Sequence, residues 1–129
     1  MSTQQQAIAA IRVALALVFL YFGFQQALHP NDWASMVPQA LTSHYITATN
    51  IVMLNSLLEF ILGTFLLIGL YTRFAALILG LHLVGITFSL GFNPVGVRDF
   101  GLAITTLALY WHGADQYTLD EKFANRPQF

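Results

Sequence analysis

The sequence contains no cysteine and very few charged residues. Its 129 residues include five Lys and Arg and six Asp and Glu, so charged residues make up 9% of the chain. The lack of cysteine excludes disulfides, thiolate chemistry and Cys-ligated zinc or iron–sulfur sites. A soluble domain usually carries about 25% charged residues. We therefore expect lipid, rather than water, to cover the surface. The net charge of −1 provides no basic field for nucleic acid, which is not an expected partner.

Long apolar runs fill most of the chain, 57% of which is hydrophobic. Four runs lie at about 7–28, 48–70, 72–92 and 95–113. Each is close to the ~20 residues that a helix needs to cross a bilayer. In lipid, backbone groups must bond within their own segment, which favours helix over strand. The sequence thus predicts an all-α integral membrane protein, with one four-transmembrane-helix bundle over residues 1–129.

The long first loop, residues 29–47, carries apolar residues at helical spacing. These residues are Trp33, Met36, Val37, Ala40 and Leu41. The pattern predicts a short helix lying in the membrane interface, capped by Asp32 and bent at Pro38. The alternative is an irregular loop anchored by Trp33.

The basic residues predict the orientation of the bundle. Four of the five flank the side that holds the chain termini: Arg12, Arg73, Lys122 and Arg126. The other side holds only Arg98, next to Asp99. The positive-inside rule therefore predicts cytoplasmic termini and an external first loop.

Glu59 is the strongest candidate for a functional residue, because it lies near the middle of the second run. An ionisable group at that depth costs several kcal/mol unless it is paired or neutral, so it is expected to face the bundle interior. Asn55 lies one helical turn away, and His82 lies at a similar depth in the third run. We predict that Glu59 and His82 bond to each other and handle protons, with Asn55 contributing to a cofactor site. The alternative is structural: a protonated Glu59 held in a hydrogen bond, with His82 satisfying it.

Three further charged residues are candidates for cofactor binding. Arg12 lies near the start of the first run, where it can pair with Glu59 or extend to lipid phosphates. Arg98 and Asp99 lie at the start of the fourth run and predict the rim of a cavity that ends at Glu59. For Asp99, the alternative is a favourable interaction with the helix dipole. The histidines do not offer two ligands at matching depth for haem, and no spacing fits a metal site. We predict neither group.

With these residues in place, the chain resembles the DoxX family of small four-helix membrane proteins. The matching motifs occur in order along the chain: Arg12 with Phe22-Gly23, Pro30 to Ala34 with Val37-Pro38, Glu59 with Gly63, Gly69-Leu70 with Thr72 to Ala76, and His112-Gly113 with Thr118 to Asp120. His82 departs from the family pattern, since apolar residues are expected in the third span.

The resemblance implies a membrane subunit associated with a quinone-linked redox complex. Some family members are described as subunits of thiosulfate:quinone oxidoreductase, and many have no assigned activity. It implies quinone as the cofactor, a bacterial inner membrane as the location, and other membrane subunits or further copies of the chain as partners. Whether the chain is itself catalytic stays open. The alternative is a non-catalytic accessory or assembly subunit that packs against a larger partner through its small-residue faces at 76–80 and 10–14.

Overall fold

The computed structural model describes residues 2–124 of the chain and shows an all-helical protein. The long helices are α1 (Thr3–Leu28), α3 (Ala48–Ile68), α4 (Thr72–Leu90) and α5 (Pro94–His112). The short helices are α2 (Pro30–Trp33) and α6 (Leu119–Ala124), and two 3₁₀ turns follow α2 at Ala34–Met36 and Gln39–Leu41. Within residues 2–124 there is no strand. The predicted fold class is confirmed in its all-α character.

Local capping explains where the long helices begin and end. The side chain of Ser2 accepts a hydrogen bond from the Gln5 N–H, so α1 begins a turn before its apolar run. Thr47 and Asn93 cap α3 and α5 in the same way. Gly69 ends α3 with a φ of +74°, a left-handed conformation that glycine adopts without a steric penalty.

Among residues 2–124, three helices are long and apolar enough to cross a membrane. They are α1, α3 and α4, with mean hydropathies of 2.2, 2.2 and 1.7. The chain is therefore an integral membrane protein. The fourth helix, α5, is as long as α4 but carries Arg98 and Asp99. A membrane crossing by α5 stays a prediction.

The long helices associate as two close pairs. In the first pair, α1 packs along α3, and Ser56 Oγ donates a 2.6 Å hydrogen bond to the Gly23 carbonyl. In the second, α4 packs along α5, with Gly80 against the side chain of Leu107. The predicted partner face at 76–80 is therefore wrong, because Ala76 and Gly80 are buried inside the bundle. Ala10 and Ala14 are exposed.

One end of the bundle, here called the terminal end, holds residues 2–12, residues 113–124 and the turn between α3 and α4. Asp115 is buried there and accepts a 2.7 Å hydrogen bond from Arg12 Nε. The carboxylate of Asp120 accepts hydrogen bonds of 2.7 Å from the N–H groups of Tyr71 and Thr72. The last described segment of the chain is thus bonded to both α1 and the α3–α4 turn.

The opposite end, here called the loop end, holds residues 29–47 and 91–93. Instead of one helix bent at Pro38, the structure has α2 and two 3₁₀ turns, separated by extended backbone at Pro38. Asp32 is not the N-cap, because α2 begins at Pro30 and Asp32 lies in its first turn. Placement of this segment in the membrane interface stays a prediction.

Candidate functional site

A cavity of about 420 Å³ lies between the two helix pairs, towards the loop end. Its wall is mainly apolar and comes from α1, α3, α4, α5 and the segment that follows α2. The polar and charged residues that line it are Gln26, Asn55, Glu59, His82, Ser89, Arg98 and Asp99. Cavities of ~300–1,000 Å³ with apolar walls and a few polar groups are typical of small-molecule sites.

Glu59 and two amides form the buried polar wall of this cavity. Glu59 is only 4% exposed. Its Oε1 accepts a hydrogen bond from Asn55 Nδ2 at 3.2 Å, and its Oε2 accepts one from Gln26 Nε2 at 3.4 Å. Asn55 Nδ2 also donates to Gln26 Oε1 at 2.6 Å. The one-turn spacing of Asn55 and Glu59 on α3 thus brings both residues to one face, as predicted.

His82 joins this network through Asn55, not through Glu59. Its Nε2 bonds to Asn55 Oδ1. The predicted direct hydrogen bond between Glu59 and His82 is therefore wrong. The two residues line the same cavity, but the amide of Asn55 bonds to both of them.

Arg98 and Asp99 line the cavity nearer to its rim. Arg98 donates from Nε and Nη2 to Asp99 Oδ1, at 3.1 and 3.0 Å. The side chain of Arg98 is half exposed, whereas Asp99 is buried. The guanidinium also lies 5.3 Å from the centre of the Phe22 ring, within cation–π range. Both residues contribute to the cavity, and their role in binding a cofactor stays a prediction.

The segment from Trp33 to Leu41, which begins at the last residue of α2, provides apolar residues to the cavity. Trp33, Met36, Val37 and Leu41, four of the five residues that gave the first loop its helical spacing, line the wall. Trp33 contacts Phe22 edge to face, with ring centres 5.7 Å apart. The apolar face of this segment thus covers the interior of the bundle.

Arg12 does not line the cavity, and the predicted pairing with Glu59 is wrong. Its guanidinium bonds to Asp115 and to the carbonyl oxygens of Leu66 and Leu67, at 2.8 and 2.6 Å. The last two contacts use carbonyl groups at the C-terminus of α3, which have no partner within the helix. Arg12 thus stabilises the terminal end, and its predicted role in a cofactor site has no support from its position.

Sequence reasoning missed two residues. Gln26 completes the polar wall, and its signal was a polar side chain near the end of an apolar run. Asp115 was missed because it follows the fourth apolar run, 103 positions from Arg12. A buried arginine needs a carboxylate at its own depth.

Comparison with known proteins gives a family but no activity. A family model described as DoxX matches residues 7–91. A relative from Mycobacterium tuberculosis, described as an uncharacterized membrane protein, is 27% identical over 137 positions that cover 92% of this chain and 82% of the relative. No solved structure matches the chain significantly. The family match covers more than half of the chain, including α1, α3 and α4, and the protein therefore belongs to the DoxX family.

Proposed function

We propose that this protein is a membrane subunit of a quinone-linked redox complex, and that its cavity binds the quinone head group. The observation that carries the proposal is the polar wall around Glu59 in a mainly apolar cavity between the helix pairs, which we propose lies within the membrane. Such a cavity suits an apolar molecule with a small polar head. The choice of quinone rests on the family resemblance.

The size and lining of the cavity agree with that ligand class. A volume of about 420 Å³ accommodates a substituted six-membered ring, since small-molecule sites start at ~300 Å³. Trp33 and Phe22 offer aromatic faces to the ring. The polar wall offers hydrogen-bonding groups to its oxygens. Glu59 and His82 are the proposed proton-handling residues, and Asn55, Arg98 and Asp99 are the proposed binding residues.

Binding is tested through the fluorescence of Trp33. The chain has two tryptophans, so Trp111→Phe leaves Trp33, in the cavity wall, as the single reporter. A short-tailed quinone should quench Trp33 saturably, and an isoprenoid alcohol of equal tail length should not. Gly85→Leu provides the control, because Gly85 lines the cavity and has open space at its Cβ position. Quenching that Gly85→Leu leaves unchanged would mean that quinone acts from the lipid, and would contradict the proposal.

The proposed topology has four spans with cytoplasmic termini, in a bacterial inner membrane. Support for a fourth span comes from the terminal end, where the Gln116 N–H donates to Gln5 Oε1 at 3.0 Å. Both ends of the bundle sequence therefore meet on one side. Large apolar residues on α5 are exposed, including Val97, Phe100 and Ile104, and lipid would cover them.

Cysteine labelling tests this topology on a chain that has no native cysteine. Ser35→Cys, in the first loop, should react with an impermeant thiol reagent in intact cells. Ser2→Cys and Gln116→Cys should react only after the cells are opened. Opposite labelling of positions 2 and 116 would leave three spans, and the reverse of the whole pattern would overturn the orientation.

The alternative function is that of an accessory or assembly subunit. The exposed Ala10 and Ala14 on α1 favour it, because small residues let a partner helix approach closely. Purification in mild detergent separates the two functions. A partner that is retained by a chain without saturable quinone binding would favour the accessory role.

A further inference from the structure

The hydrogen bonds of the polar wall leave mostly acceptors for a ligand. Both N–H groups of the Asn55 amide are used, one on Gln26 and one on Glu59. Gln26 directs one N–H at Glu59. Both carboxyl oxygens of Glu59 therefore accept an amide hydrogen bond. Each oxygen keeps acceptor capacity, since a carboxylate offers about four lone-pair positions.

His82 adds a further acceptor. Because Asn55 points Nδ2 at Gln26 and Glu59, its Oδ1 faces the imidazole and can only accept. The proton of the neutral ring is therefore on Nε2, and Nδ1 is left as an acceptor. Within residues 2–124, Nδ1 has no hydrogen bond.

Asp99 also offers a hydrogen-bond acceptor to a ligand. Both hydrogen bonds from Arg98 go to Oδ1, and in the described part of the chain Oδ2 receives none. Apart from one N–H of Gln26, the donors that stay available belong to the rim, where the side chain of Arg98 is half exposed and Trp33 is partly buried. Glu59, His82 and Asp99 thus present mainly acceptors to the cavity, and two of these three residues carry a carboxyl group.

We infer that the cavity binds the reduced quinol in preference to the oxidised quinone. This inference rests on the proposed function and specifies which redox form of that ligand the site selects. A quinol carries two O–H donors, whereas a quinone has only carbonyl acceptors. An O–H that meets a carboxylate forms a short, charge-assisted hydrogen bond. A quinone carbonyl at the same position faces lone pairs and leaves buried acceptors without a donor, which is unfavourable.

The preference has a consequence for electron transfer. If the reduced form binds more tightly, binding raises the reduction potential of the ligand. For a two-electron couple, tenfold tighter binding of the quinol corresponds to a rise of about 30 mV. A bound quinone is then a better electron acceptor than a quinone in the bilayer. The cavity therefore suits a complex in which a partner reduces the quinone.

The test compares three short-tailed ligands of one ring type by calorimetry on the full chain in detergent. They are the quinone, the quinol, and the quinol dimethyl ether, which has the bulk of the quinol without its O–H donors. The quinone is titrated without reductant, and reductant is added only for the quinol and its dimethyl ether, which the chain tolerates because it has no cysteine. We expect the quinol to bind at least about tenfold more tightly than the quinone, as one charge-assisted hydrogen bond predicts. The dimethyl ether should bind no more tightly than the quinone.

Glu59→Gln and Asp32→Asn form a matched pair of acid-to-amide variants. Glu59→Gln replaces one acceptor by a donor in the cavity and should abolish most of the preference for quinol. Asp32 is exposed and does not line the cavity, so Asp32→Asn should leave the preference unchanged. If Glu59→Gln does not accumulate, the three-ligand comparison on the native chain still decides the matter.

The outcomes separate this inference from the proposed function. Equal affinity for quinol and quinone would overturn the preference and leave quinone binding in place. A dimethyl ether that binds as tightly as the quinol would also overturn it, since bulk rather than O–H donation would then decide. Failure of all three ligands to bind would overturn the proposed function itself.

Discussion

Buried ionisable residues have different kinds of bonding partners in the two halves of the bundle. At the terminal end, Arg12 and Asp115 are both buried, and they bond to each other and to backbone carbonyls. Glu59, within α3 and towards the loop end, is also buried, but its hydrogen-bond partners are neutral amides and it borders a cavity. The buried charges of the terminal end are therefore fully paired, whereas the polar groups beside the cavity can form further hydrogen bonds.

This difference indicates that one region of the fold serves stability and the other serves ligand binding. A buried ion pair with additional hydrogen bonds is strongly destabilising to break, because it leaves an unpaired charge behind. Groups that border a cavity can instead be satisfied by a ligand. We expect changes at the terminal end to act mainly on folding, and changes around the cavity to act mainly on binding.

Asp115→Ala should have the largest effect on stability. It leaves the buried guanidinium of Arg12 without its counter-ion, so the free energy of unfolding should fall by about 3–5 kcal/mol. Asp99→Ala is the matched variant in the cavity wall. The partner of Asp99, Arg98, is half exposed, and such pairs contribute about 1 kcal/mol or less. Unfolding in detergent measures both, and equal losses would contradict the division between the two ends.

Two glycines of α4 allow a tightly packed position and a position beside the cavity to be compared on one helix. A Cβ at Gly80 would lie 2.6 Å from Leu107 Cδ2, whereas Gly85, beside the cavity, has nothing within 4 Å. Gly80→Ala should therefore lower stability by about 1–3 kcal/mol through overpacking. Gly85→Ala should be neutral or stabilising, since alanine favours helix by about 1 kcal/mol over glycine. Thermal unfolding of the two variants decides, and a loss at position 85 would show that the cavity wall is tightly packed.

Asp120→Ala removes the cap of α4 at the terminal end. Tyr71, just before α4, has a φ of +50°, and the Asp120 carboxylate bonds its N–H and that of Thr72. Loss of a helix cap costs about 1 kcal/mol. The control is Asp32→Ala, an exposed acid of the first loop, which should change stability by less than about 0.5 kcal/mol. An equal effect of both variants in the same unfolding assay would argue against this capping role.

The sequence predicted the helices better than their pairing. Length and hydropathy located α1, α3, α4 and α5 within a few residues, because a membrane restricts the backbone to helix. A helix bound differs from the bound of its apolar run where a capping residue sets it, as at Ser2, which caps the start of α1. The pairing of α4 with α5 was missed, because Gly80 is one of several small residues and nothing local identifies its partner.

The sequence indicated several residues of the cavity wall but not the hydrogen bonds between them, and it missed Gln26 and included Arg12. Glu59, Asn55, His82, Arg98 and Asp99 all line one cavity, as the depth of each in its helix suggested. Depth says nothing about which side chain stands between two others, so the link from Glu59 to His82 through Asn55 was not foreseen. Arg12 was assigned to the wrong partner because its carboxylate lies 103 positions away, outside every apolar run.

Glu59→Gln should change stability little and function strongly. The variant keeps the shape of the side chain, and its amide oxygen can still accept a hydrogen bond from Asn55 or Gln26. Because hydrogen bonds between membrane helices average about 0.6 kcal/mol, the change in stability should stay within about 1 kcal/mol.

If Glu59 handles protons for a quinone, the variant should accumulate normally in host membranes and lose quinone-dependent electron transfer. His82→Ala should lose transfer too, since His82 joins the same network. Thr64→Ala is the control on α3, because Thr64 bonds only within its helix and does not line the cavity. Abundance by immunoblot and quinone-dependent transfer in membranes measure the two properties. Normal transfer in both cavity variants would remove the proton-handling role and favour the accessory subunit.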